Sequence, residues 1–234
     1  MEGECKMGLL GAFIGGVASF LSTAVSTVGS AIVGVASTLI AKLPDLALAK
    51  EVVGFIATVI SKVAEFLGVG PKDENMEELG AKAMQEGIRP KMEEETTQEY
   101  LDYLRNEVVL DREKYEKLSD TEKVACSTLG TTLVSKSIEE KTGVELPPEF
   151  LLSIAKTKMR AEEITKFISE FGKNEIFNMG VLSDYLSNKL TESKVEKVDS
   201  IIVSSLKELN PDVSEQAIKE EILDMKRNNN KESY

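Results

Sequence analysis

The sequence has no histidine and no tryptophan, and only two cysteines, Cys5 and Cys126. Without histidine there is no Ser-His-Asp or Cys-His nucleophile pair, no imidazole metal ligand and no imidazole pH switch. Two distant cysteines make neither a disulfide framework nor a zinc knuckle. Cys126 falls on an amphipathic helical pattern, where a lone cysteine behaves as a small buried apolar residue, and no base stands ready to activate it. The alternation of apolar and polar residues that marks strands is absent, as is any repeat at a fixed period. Phosphate-cradling glycine loops, HExxH, EF-hand and GxSxG patterns are missing too. Adjacent acids such as Glu139-Glu140 and Glu162-Glu163 read as solvated helix faces, and Tyr100, Tyr103, Tyr115 and Tyr185 as packing residues. The reading is of a non-catalytic protein with no cofactor and no metal.

Positive charge is also scarce. The 234 residues carry a formal net charge of -12, with a sequence pI of about 4.7. The first 67 residues hold four lysines and five acids, so nearly all the excess acid lies beyond them. No basic stripe is present to bind phosphate, so no nucleic-acid partner is expected.

What is present is one stretch unlike the rest, Gly8 to Ala41, GLLGAFIGGVASFLSTAVSTVGSAIVGVASTLIA, without a charge or a proline. As a continuous helix it exceeds the roughly 20 residues that cross a bilayer, with a tilt or break at Gly29-Ser30. Small residues recur along it at helical spacing. Gly11, Gly15, Ser22, Ser26, Ser30 and Gly34 form a ridge that lets another helix approach closely. The opposite face carries Phe13, Val17, Phe20, Val28 and Ile32, a bulky apolar face suited to membrane insertion or to a core. Both uses remain open: contact with a membrane, or burial at the centre of a soluble bundle or oligomer. The region before Gly8 is acidic, which fits a secretory signal poorly.

Pro44 ends this segment, and Asp45 offers an N-cap for a second helix to Leu67. The two together predict an apolar helical hairpin over residues 1–67, inserting in a membrane or associating with another copy. The run GVGPKD at 68–73 reads as a boundary. A short acidic helix at 74–86 and a loop at 87–95 complete a linker. Residues 96–228 read as an acidic multi-helix bundle. Capping boxes at Thr96-x-x-Glu99 and Ser119-x-x-Glu122 open two helices. Pro147-Pro148 opens a long one to Phe171, closed by Gly172. Helices follow near 176–189, over 192–209 and, capped by Ser214, to about Arg227. The tail 229–234 reads as disordered. The fold class is therefore all-α.

A segment such as MGLLGAFIGGVASFLSTAVSTVGSAIVGVAS ahead of a charged helical body resembles phage and mobile-element proteins with a Gly/Ser/Ala-rich apolar N-terminus. The resemblance covers the first third of the chain and carries over no functional residue. It implies a virion component that meets the host membrane during DNA delivery. The sequence reading is thus a membrane-interacting protein whose acidic body binds protein partners, or a soluble assembly protein with the hairpin buried between subunits of a homo-oligomer. The corresponding location is membrane- or virion-associated, with the body in a reducing, cytoplasm-like compartment.

Overall fold

The computed structural model describes residues 13–23, 29–86 and 96–231. Among them the chain is all-helical, with no strand and a single isolated parallel bridge between Glu145 and Asn178. The helices are α1 (13–22), α2 (Ser30–Ala41), α3 (Leu46–Leu67), α4 (Met76–Glu86), α5 (Thr97–Asn106), α6 (Arg112–Glu116), α7 (Asp120–Thr142), α8 (Pro148–Thr157), α9 (Ala161–Lys173), α10 (Gly180–Leu186), α11 (Glu192–Leu209) and α12 (Glu215–Asn229). The chain divides into two compact units, residues 1–137 and 138–233, with the division inside α7.

The apolar N-terminal stretch is not one helix. Thr23 is a turn that closes α1, and Gly29 precedes α2 at φ +86°. That angle is comfortable only for glycine, so the break suggested at Gly29-Ser30 lies in the backbone itself. The Asp45 carboxylate accepts from the Leu48 amide at 2.9 Å and starts α3, as its spacing predicts. Gly68 ends α3 in the left-handed conformation, and the GVGPKD segment lies inside the first unit.

In the first unit α4 packs against both α3 and α5. Its contact with α7 is closer still. A Cβ added to Gly80 would lie 1.9 Å from the Cys126 carbonyl oxygen, and one added to Gly130 would lie 2.0 Å from that of Met76. Only glycine on both helices permits this approach. Lys82 donates to the Leu104 carbonyl at 2.9 Å and the Arg105 carbonyl at 3.3 Å, placing a cation on the C-terminal end of α5. Arg105 in turn holds Glu74 through two hydrogen bonds, 2.7 and 2.8 Å, with the side chains only 14% and 7% exposed. The Thr96 capping box is formed reciprocally. So is that at Ser119, whose amide donates to Glu122 at 2.7 Å while its hydroxyl accepts from the Glu122 amide at 3.3 Å.

In the second unit α9 packs on α11, while α8 packs on α10 and α12. The helix expected from Pro148 to Phe171 is in fact two. Lys158 adopts the left-handed conformation at φ +56° and ends α8. Arg160 then starts α9, its amide donating to the Glu163 carboxylate at 2.9 Å. Gly172 is inside α9 rather than its stop. Ser214 caps α12 through the Ala217 amide at 3.2 Å, as expected. That helix runs to Asn229, past the expected end. Asn229 donates to the Ser187 hydroxyl at 3.0 Å, and Asn230 donates to the Leu186 carbonyl at 2.8 Å. The first residues of the expected tail are therefore tied to α10, while 232–234 lie outside the described residues.

Candidate functional site

The two faces of the N-terminal stretch meet different surroundings. Phe13 and Ile32 are each 7% exposed and Val17 is fully buried, together with Leu21, Ala36, Leu39 and Ile40. Phe20 is half-buried. These side chains form core of the first unit. The small residues lie on the other side: Gly15, Ser22, Ser30 and Gly34 are exposed. Gly11, Ser26 and Val28 lie outside the described residues, as does the loop 87–95. The helical period produces this separation, because residues three and four apart share a face.

Three hydroxyls of the exposed face bond within their own helices. Ser22 donates to the Ser19 carbonyl at 2.7 Å, and Thr38 to the Gly34 carbonyl at 2.8 Å. On α3, Thr58 donates to the Gly54 carbonyl at 2.9 Å. Each hydroxyl is thus satisfied within its own helix. Gly15, Gly34 and Gly54 have open space where a Cβ would stand, with nothing within 4 Å. On α3, Ala47, Gly54 and Thr58 are exposed small residues as well, which the sequence pattern does not single out. Their spacing of seven and four residues was the available signal, masked by Lys50 and Glu51 between them. Lys50 itself pairs with Asp120 at 2.5 Å and holds that carboxyl below its usual range. None of the exposed large apolar side chains lies on α1 or α2; Phe66, near the end of α3, is the one on the three helices.

The remaining candidates, Cys126 and the tyrosines, are held in packed surroundings. Cys126 is buried, and burial pushes its thiol up to about 12, so it remains a protonated apolar group at neutral pH. Tyr115 donates to Glu77 and Tyr185 to Asp199, and burial followed by the acceptor carboxylate raises both phenols. The Lys226 ammonium sits 3.7 Å from the centre of the Tyr185 ring, and burial lowers its pKa. The reading of Glu162-Glu163 as a solvated pair is corrected. Glu163 is 4% exposed and is held by the Arg160 guanidinium at 2.6 Å while it caps α9. Nearby Glu221 has a raised pKa, from burial first and from the Glu163 charge second. Among the described residues no three His, Cys, Asp or Glu side chains gather as metal ligands.

Among the described residues no helix is long and apolar enough to cross a membrane. No family model, curated protein or solved structure matches the chain.

Proposed function

We propose that this chain is a non-catalytic assembly protein that associates with copies of itself through the small-residue face of α1, α2 and α3. The observation that carries the reading is the division of labour on the N-terminal helices. Most of their bulky apolar side chains are consumed by the first unit's own core, whereas glycine, alanine, serine and threonine face outward on α1 and α2, and on α3 stand beside the exposed Lys50, Glu51 and Lys62. A surface of small side chains lets two backbones approach closely, so many weak dispersion contacts accumulate. Because Ser22, Thr38 and Thr58 already donate to their own helices, covering them leaves no hydroxyl proton unpaired and costs little desolvation. Insertion of the hairpin into a membrane would instead require Phe13, Val17 and Ile32 to leave the core.

A cysteine scan tests this. Thr38→Cys places a thiol on the exposed face of α2, in a background where Cys5 and Cys126 are serine. Mild oxidation should give a disulfide-linked dimer in plain buffer. Leu223→Cys, exposed on α12, should give none under the same conditions. Equal crosslinking at both positions, or none at Thr38→Cys across that face when Gly34→Cys and Thr58→Cys also fail, removes the reading.

A further inference from the structure

Four large apolar side chains, Phe20, Met84, Tyr115 and Leu118, stand partly buried around Ala81, Leu110 and Cys126. They do not form a convex patch. They line a cavity of about 320 Å³ in the first unit, with Cys126 among its wall residues. We infer that this cavity is a binding site for a compact, uncharged apolar molecule of one or two rings. The assignment does not depend on self-association.

The chemistry of the rim supports an uncharged ligand. Gln85 is spent on the backbone, its amide nitrogen donating to the Val109 carbonyl at 2.8 Å and its oxygen accepting from the Asp111 amide at 2.6 Å. The Asp111 carboxylate caps Lys114 at 3.1 Å and pairs with the Lys114 ammonium at 3.1 Å. The Tyr115 hydroxyl donates to Glu77 at 2.5 Å, and that of Thr23 to the Phe20 carbonyl at 2.7 Å. Each polar side chain at the rim has a protein partner, so affinity must come from apolar surface removed from water. Met84 adds a soft, polarisable sulfur, which favours aromatic guests.

Size decides between occupants. An apolar cavity of about 150 Å³ admits benzene, so this one holds roughly two rings. A helix of a second copy would have to insert side chains from outside, and dependence of the Met84 signal on protein concentration separates that case.

Full-length protein labelled with ¹³C at its eight methionine methyls supplies the test, with the Met84 resonance assigned through Met84→Leu. Toluene and naphthalene should shift the Met84 signal saturably and leave the methionines outside the cavity unmoved. Benzoate and benzylammonium should bind at least tenfold more weakly. Leu118→Trp, which takes up part of the cavity, should weaken the shift, more for naphthalene than for toluene, while circular dichroism remains helical. Thr23→Phe at the exposed rim should do the same if Leu118→Trp does not fold. No saturable shift, equal shifts at all methionines, or benzoate binding as well as toluene would overturn the assignment. So would a Met84 signal that moves with protein concentration alone, which would make a second copy the occupant.

Discussion

Gly80 of α4 and Gly130 of α7 face one another so closely that a Cβ on Gly80 would lie 3.0 Å from the Gly130 amide nitrogen, and one on Gly130 would lie 3.1 Å from that of Gly80. Each added carbon would also strike a carbonyl oxygen of the opposite helix. Backbone cannot swing aside as a side chain does. Gly80→Ala and Gly130→Ala should therefore each destabilise the first unit by about 3 kcal/mol, the range for overpacking a rigid contact. Gly34→Ala is the counter-case. Gly34 is helical and exposed, with open space around it in the single chain, so at dilutions where the chain is unassociated alanine should stabilise by about 0.5–1 kcal/mol. Urea denaturation followed by circular dichroism measures all three.

The Arg105–Glu74 pair is doubly hydrogen-bonded and mostly covered. Removing one partner leaves the other charge buried without a counterion, at a cost of about 3–5 kcal/mol. Arg105→Met should fall in that range. Arg105→Met with Glu74→Leu should recover a large part of it, since an apolar pair replaces an ionic one. A double-mutant cycle on denaturation midpoints separates the two terms.

The break between α8 and α9 rests on Lys158 in the left-handed region. Left-handed backbone costs a lysine roughly 1–2 kcal/mol relative to its preferred conformation. Lys158→Gly should therefore stabilise, and Lys158→Val should destabilise by more than Lys158→Ala. If valine were tolerated as well as glycine, the two segments would be one kinked helix. Thermal melts of the three variants answer this.

Glu221 has a pKa raised by burial and by the neighbouring Glu163. The folded carboxyl holds its proton more tightly than the unfolded one. Folding stability is therefore lower where Glu221 is ionised, and it is regained as pH falls through the raised pKa. Glu221→Gln should raise the melting temperature at pH 7. Its advantage should vanish below about pH 4, where the ordinary glutamate is protonated too. Melting curves of both proteins from pH 7 to pH 4 show the convergence.

Much of the helical layout was legible because its signals are local. The boxes at Thr96 and Ser119 and the caps at Asp45 and Ser214 are three-residue relationships between a side chain and a nearby amide. The break at Lys158 carried no such mark, since a left-handed lysine looks like any other lysine in sequence. Burial of Glu163 was hidden for a different reason. Arg160 and the carboxylate it holds are near in sequence, but α12, with Glu221 beside them, comes from almost sixty residues later. Asn229 likewise reads as tail until its partner Ser187 is known. The candidate face was half legible. Its helical period separated small from bulky residues, but the sequence did not say which face the rest of the chain would cover, nor that Ala47, Gly54 and Thr58 would be exposed on α3.

The central claim is that the outward small-residue face associates with another copy while the bulky face remains core. Sedimentation velocity of the full-length chain in plain buffer, over a concentration series, tests it most directly. The wild type should form a discrete oligomer, and Gly34→Leu, which puts a bulky side chain where the backbones meet, should weaken association at least tenfold with its helical content intact. A wild type that stays monomeric at every concentration, or a Gly34→Leu variant that associates as strongly as the wild type, would contradict it.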